Sequence, residues 1–319
     1  MTTKSVTKLQ AGTSPIYETR TDMILVTSAL WSLLQGNPDE DNARRVDDAT
    51  LQGIVTPQGI KYKLRYVAAQ HGQNLFIRPG GSPLELLTAK ALKDVGVDPT
   101  EVVAESDGDG DDGDNPKKKK GKKGRVLSQA EIQAVSKKLC EDYFDVRAFG
   151  AVLCKPVNAP ITGPVQVSFS MSVAPVFSHE LGITRGVVTK VSDLQEKDRE
   201  MGRMPIVPFE VSLTRISIDP FRARATGFTH DDFELLITGI RQMYDMTRST
   251  LRSGVCAEKL VIFRHADKYG NGQAMKLFRR VKVKTDVPGG APYSRSFSDW
   301  TVEVDETGLS GVTVEIIDL

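Results

Sequence analysis

Nine residues, Val165 to Val173, alternate without a break between apolar side chains (Val165, Val167, Phe169, Met171, Val173) and small uncharged polar ones (Gln166, Ser168, Ser170, Ser172). A strict period of two belongs to a half-buried β-strand, because successive side chains point to opposite faces of a sheet. Its polar face carries no charge, so it can lie against a ligand without repelling it. A second segment carries the other period. Phe233, Leu236, Ile237, Ile240, Met243 and Tyr244 fall on one stripe of a helix that Thr229 caps. A chain with both periods at full strength builds strands and helices together, so the class is mixed α and β.

The remaining segments follow the same logic. Asp22–Leu34 alternates weakly and reads as a first strand after a loose arm over residues 1–20. Gly36–Asn42 is a polar loop. A helix starts near Pro57 and buries Ile60, Leu64, Val67 and Ala68, and another spans Pro83–Val95. Ser128 with Glu131 forms a capping box for a helix that buries Ile132, Val135 and Leu139. That helix leads into Asp142–Leu153, a helix-to-strand junction with a lone arginine, Arg147, among apolar neighbours. Val207–Leu213 reads as a strand with Val207, Phe209, Val211 and Leu213 inward. Leu260–Phe263, Leu277–Lys284, Trp300–Val304 and Val312–Ile317 supply further strands. Residues 103–126 alternate Gly with Asp and then turn basic, and they cannot bury enough apolar surface to offset their entropy. Residues 183–208 form a long polar excursion between two good strands, the signature of a projecting hairpin.

Composition narrows the function. The net charge is only +1, but it is segregated: residues 241–284 carry eleven Lys/Arg against three Asp/Glu, and residues 285–319 carry one against seven. A basic block suits a protein that meets a polyanion on one face, and surface salt-bridging accounts for it equally well. On the helix after Pro57, Lys61 and Arg65 share a face beside Lys63, and no acid in the helix offsets them, which points to phosphate contact. Three cysteines (Cys140, Cys154, Cys256) without a paired motif suit a reducing compartment, read here as the cytoplasm, and argue against a zinc site. The four histidines lack metal-ligand spacing, and no cofactor is expected. No apolar run approaches the ~20 residues of a membrane span, and the N-terminal residues lack the apolar core of a secretion signal.

Several short stretches, in order, resemble the backbone subunits of type I CRISPR effector (Cascade) complexes, most closely the Csd-type subunit of subtype I-C. They include Gly36-Asn37-Pro38, Arg45-Val46-Asp47 and Ile60-Lys61-Tyr62-Lys63-Leu64-Arg65. Tyr143-Phe144-Asp145-Val146-Arg147-Ala148-Phe149-Gly150, Gly163-Pro164-Val165-Gln166, Ile183-Thr184-Arg185, Met201-Gly202-Arg203 and Lys259-Leu260-Val261-Ile262-Phe263-Arg264-His265 continue the series. The resemblance implies an α+β fold: an RRM-like, ferredoxin-like palm over residues 21–319, with helical finger insertions and a β-hairpin thumb at 183–208. It also implies a non-catalytic subunit that polymerises head to tail along a CRISPR RNA and presents guide segments to target DNA. The further partners it implies are a guide-end capping or processing subunit and a large subunit. In that setting the RNA-binding residues are Asn37, Arg45, Lys61, Lys63, Arg65, Arg147, Phe149, Gln166, Ser168, Arg185 and Arg203. Asp145 is then left to orient Arg147 or to cap backbone.

The chain departs from the family at Ser32, where an aspartate is common, and in the strand after the thumb. The alternative is a metal-dependent, target-RNA-cleaving subunit of the type III kind, with Asp39, Asp41 and Asp145 as its candidate acids. Ser32 and the lack of a His/carboxylate pair argue against it.

Overall fold

Strand β1 (Thr21–Ser32) is buried on both faces as far as Ala29, so it has to lie inside a sheet. In the computed structural model, which describes residues 14–103, 124–187 and 200–319, it does. The other strands of this sheet are β2 (Gln52–Val55), β5 (Val165–Pro175), β7 (Glu200–Ile218), β8 (Val255–His265) and β11 (Val312–Asp318). Their order is β11-β8-β1-β7-β5-β2, and β6 (His179–Arg185) adds to β7. β1 runs antiparallel to β8 from Thr21↔Arg264 to Ala29↔Val255, with a register shift between Val26 and Thr27. Two short hairpins complete the strands: β3 (Gly150–Val152) with β4 (Pro160–Thr162), and β9 (Val281–Thr285) with β10 (Trp300–Val304).

The chain divides into two compact units. One comprises residues 20–64, 167–217 and 238–319 and contains most of the large sheet. Its core packs Ile24, Val26, Val211, Val261, Phe263 and Trp300, each such burial contributing about 2 kcal/mol before entropy is counted. Its helical parts are the first two turns of α1 (Pro57–Gln70), the C-terminal part of α6 (His230–Met246) and the short α7 (Ala274–Phe278). Leu64 of α1 and Gly239 of α6 lie so close that a Cβ at Gly239 would come within 3.2 Å of the leucine.

The other unit comprises residues 1–19, 65–166 and 218–237. It is largely helical, with α2 (Leu84–Asp94), α3 (Gln129–Asp142), α4 (Phe144–Phe149) and α5 (Pro220–Thr226). Phe76, Leu92, Val135, Leu139, Val146 and Leu153 form its core. The Ser128/Glu131 capping box is present at the start of α3. Residues 15–17, expected in a loose arm, pack here: Tyr17 is 1 % exposed, stacks on Phe233 at 4.6 Å and donates its backbone N–H to Phe228 O. Gly150 has φ +79°, and a Cβ there would lie 2.1 Å from Ile161 O, so only glycine turns the chain from α4 into β3.

Four expectations need correction. The alternation in β5 is real, but its faces are not uniform. Val165 and Val167 are buried, whereas Phe169 is 58 % exposed and Met171 is 38 % exposed. The supposedly open serines Ser170 and Ser172 are buried instead, Ser172 Oγ accepting from Gly53 N and donating to Ala174 O. A small hydroxyl with both bonds satisfied is cheap to bury. β7 is far longer than 207–213, and it buries Glu210, Ser212 and Thr214 alongside Val207 and Val211, with Phe209 and Leu213 half-buried. The segment 277–284 is not one strand but the end of α7 followed by β9. Asp145 does not orient Arg147; its partners lie elsewhere and are given below. The disorder expected over 103–126 falls mostly on residues 104–123, outside the described residues. Its flanks are joined by a bridge between Val102 and Arg125.

Candidate nucleic-acid interface

The loop after β1 owes its shape to Asn37. Its backbone N–H bonds Ala43 O, its carbonyl accepts from Asn42, and its Oδ1 accepts from Arg45 Nη2 at 2.9 Å. A Cβ at Gly36 would lie 2.6 Å from Asn42 O, so the glycine permits this closure. The two adjacent arginines have opposite fates. Arg44 is buried and forks onto Glu210 at 3.0 and 2.8 Å, also donating to Ile54 O. Arg45 stays partly exposed, and its Nε has no partner among the described residues. The Arg44–Glu210 pair was missed from sequence. Its signal was a glutamate among alternating apolar residues in a strand.

Helix α1 carries Lys61, Lys63 and Arg65, and each has a different environment. Lys61 is partly exposed. Arg65 donates Nε to Asp145 Oδ2 at 2.8 Å and lies over the Phe149 ring at 5.4 Å. The acid missing from the helix is thus supplied from α4. Lys63 is only 6 % exposed and makes no hydrogen bond or ion pair among the described residues. Burial, with a smaller contribution from the charge of Arg252, pushes its amine down to about 8. Two exposed tyrosines, Tyr62 and Tyr66, stand i, i+4 on the same helix. Aromatic faces between cations suit base stacking, and they escaped notice because the basic residues dominated the sequence pattern.

The junction at 142–153 is a rigid internal joint. Arg147 forks onto Asp232 at 2.8 and 2.7 Å and donates to Cys140 O, with 9 % of its side chain exposed. Asp232 also accepts from Thr229 N at the start of α6, so one carboxylate joins a helix cap to a buried guanidinium. Asp145 accepts from Phe76 N, Ile77 N and Arg65. Phe149 is 6 % exposed and meets Phe144 edge-on. The donors of Arg147 are therefore committed inside the protein.

The remaining sequence-picked residues lie on β5 and the β6/β7 hairpin. Gln166 is exposed and donates to Gly163 O, and Ser168 Oγ donates to Phe169 O and accepts from Arg215 N. β6 and β7 pair from His179↔Ile206 to Arg185↔Glu200, so 179–206 does form a hairpin. Residues 188–199 and the Arg185 side chain lie outside the described parts. Arg203 is 82 % exposed and paired with Glu180 at 3.0 Å. Apolar side chains on the hairpin also face solvent: Leu181, Ile183 and Met201, the last 82 % exposed.

The basic block at 241–284 is much less free than its count suggests. Antiparallel pairing lays the acidic tail against it: Lys284 meets Glu303, Arg280 meets Asp305, Arg264 meets Glu315 and Lys259 meets Asp318. These are rim pairs worth little individually, but they engage four of the eleven cations of the block, in line with the salt-bridging alternative.

The sequence model of the family described as CRISPR-associated protein Cas7 matches residues 19–305, nearly the whole chain. The chain belongs to the Cas7 family. Among solved structures, a chain of a pre-nicking CRISPR RNA-guided surveillance complex shares the fold at 13% identity, covering 76% of this chain and 78% of that one with a TM-score of 0.50. A chain of another CRISPR RNA-guided surveillance complex aligns more loosely, at 10% identity over 76% of this chain and 68% of that one, with a TM-score of 0.41. No curated protein sequence matches it. For this Cas7-family chain, no helix among the described residues is long and apolar enough to cross a membrane.

Proposed function

We propose that this chain is the RNA-binding backbone subunit of a subtype I-C surveillance complex. Copies repeat head to tail along one CRISPR RNA, and the subunit has no catalytic step of its own. The observation that carries this reading is family membership over residues 19–305, which takes in both units and the β6/β7 hairpin. In this reading the sheet-bearing unit is the palm, the helical unit the finger, and the hairpin the thumb. The apolar side chains exposed on the hairpin, Leu181, Ile183 and Met201, suit burial against a neighbouring subunit better than solvent. Base pairing to target DNA then reads sequence while the protein holds backbone. The guide-end subunit and the large subunit complete the particle, which belongs in the cytoplasm.

The proposed RNA contacts are Asn37, Arg45, Lys61 and Lys63, with Gln166 and Ser168 on β5, Arg185 on β6 and Arg203 on β7. Tyr62 and Tyr66 join them as stacking surfaces. Arg65, Arg147 and Phe149 shape the helical unit instead. The test is binding of guide-length single-stranded RNA across a salt series, with particle mass measured in parallel. Salt-sensitive, sequence-tolerant binding that drives assembly is expected. A protein that stays monomeric and shows no salt-dependent binding refutes the reading. Metal-dependent cutting of guide-complementary RNA that is lost in Asp39→Ala or Asp41→Ala refutes the non-catalytic part.

A further inference from the structure

Where β1 begins, polar side chains from three strands of the large sheet meet. His265 closes β8 and is 4 % exposed, Asp22 in β1 is fully buried, and Ser217 lies near the end of β7. His265 Nε2 lies 3.1 Å from Asp22 Oδ2, and Ser217 Oγ donates to Asp22 Oδ1. On the other side of the ring, Asn271 N donates to His265 Nδ1 at 2.8 Å. A ring nitrogen that accepts a hydrogen bond carries no proton, so the proton sits on Nε2 and is donated to Asp22. This geometry requires a neutral imidazole in one tautomer.

The bond from Asn271 ties down the loop between β8 and α7. Asn271 Oδ1 accepts from Asp267 N, Gly270 N bonds Asp267 O, and Tyr269 N bonds Asp267 Oδ1, so residues 267–271 form one closed turn. Ala266 N bonds Gly311 O, and a Cβ at Gly311 would lie 2.5 Å from Asn271 Nδ2. The turn therefore braces the start of β11, whose Val312 pairs with His265.

A second proton on the ring has only Nδ1 to occupy, and there it would face the N–H of Asn271. Two donors cannot meet at 2.8 Å with no acceptor between them, so an imidazolium and the closed turn exclude each other. Of the charged groups around the ring, Asp22 favours the imidazolium. Arg20 opposes it; its carbonyl accepts from His265 N, and its Cγ lies 3.8 Å from where a Cβ at Gly270 would stand. In the loop, Asp267 is engaged with Tyr269 N, and Lys268 lies over the Tyr269 ring at 5.5 Å. Arg264, next to His265 in β8, pairs with Glu315 of β11, and α7 meets the loop through Leu277.

We propose that His265 is an acid-sensitive latch: neutral, it holds the 266–272 loop and the start of β11 closed, and protonated, it releases them. The loop carries Lys268 and the exposed Tyr269, so release remodels one surface of the sheet-bearing unit while the β1–β8 pairing stays. The open form takes up a proton that the closed form refuses, so acidification favours opening by up to about tenfold per pH unit. This inference is independent of the RNA-binding reading.

The experiment uses the full chain labelled with nitrogen-15, from about pH 8 to about pH 5, the span in which histidine ordinarily changes charge. Ring-nitrogen chemical shifts report the tautomer and the second proton. Hydrogen exchange of the 266–272 and 312–316 amides, corrected for intrinsic rates, reports opening. Expected are the Nε2–H tautomer at the alkaline end, and a loss of loop protection that shares its midpoint with the second proton while the β1 amides stay protected. Asp22→Asn keeps an acceptor for Nε2–H and removes the anion, so it should move both events together to lower pH. His265→Asn offers a carbonyl to Asn271 N and cannot titrate, so loop exchange should lose its pH dependence. A ring that takes its second proton while the loop stays protected overturns the latch. So does the same pH response in His265→Asn, or a wild type that stays neutral and closed down to the acid end. If His265→Asn does not fold, the two wild-type midpoints decide the matter alone.

Discussion

Replacing Lys63 with methionine keeps most of the buried stem and removes the charge, and in the RNA-free protein it should raise stability. The magnitude follows from the lysine's displaced titration, from an ordinary 10.5 down to about 8. Below about pH 8 the amine is charged in both folded and unfolded chains, and the folded chain carries the whole cost of the buried charge. Between about 8 and 10.5 the folded protein holds fewer protons than the unfolded chain, so wild-type stability rises with pH and the cost disappears. At 1.36 kcal/mol per pH unit of displacement, the cost is about 3 kcal/mol at pH 7 and about 1 kcal/mol at pH 10. Urea denaturation of wild type and Lys63→Met at pH 7, 8, 9 and 10 reads this directly, since other titrating groups cancel in the difference. The variant should be the more stable by about that amount at pH 7, with the gap closing by pH 10. A variant less stable than wild type at pH 7, or a gap independent of pH, would refute the reasoning.

Truncating one side of the buried Arg44–Glu210 fork, as Arg44→Ala or Glu210→Ala, should cost about 3–5 kcal/mol in urea denaturation, and Arg44→Met with Glu210→Met together should recover most of it. Arg147→Ala should lower stability by a similar amount, about 3–5 kcal/mol, with Arg147→Lys a poor rescue because one ammonium cannot reproduce the fork onto Asp232. Any loss of RNA binding in Arg147→Ala should track the unfolded fraction; a folded variant with weakened binding would restore Arg147 as an RNA contact. Neutralising the paired tail acids (Glu303→Gln, Asp305→Asn, Glu315→Gln, Asp318→Asn) should release basic residues and steepen the salt dependence of RNA binding. An unchanged slope would mean those cations lie outside the electrostatic reach of the RNA.

Local signals in the chain were legible because they depend on neighbours in sequence. The stripe of α1, the capping box of α3 and the Thr229 cap and apolar face of α6 follow from spacing of a few residues, and the hairpin expected at 183–208 from its polar composition pairs from His179↔Ile206 to Arg185↔Glu200. The short motifs that resemble Cascade backbone subunits pointed to the family that the residue 19–305 match assigns. The site was read less completely. A sequence shows that α1 holds three cations and no acid, but it cannot show that Asp145, eighty residues away, neutralises Arg65 while Lys63 has no hydrogen-bond or ion-pair partner among the described residues.

The sequence by itself determined the class, the periods of the elements and the family. Tertiary structure alone decided which charges are free. Antiparallel pairing of β9 with β10 and β8 with β11 engages four of the eleven cations of the basic block, and the coverage of β5 exposes Phe169 while burying Ser170. The physical reason is range: helix and strand periods depend on residues a few positions apart, whereas a charge is neutralised, or a face covered, by whatever the fold brings beside it.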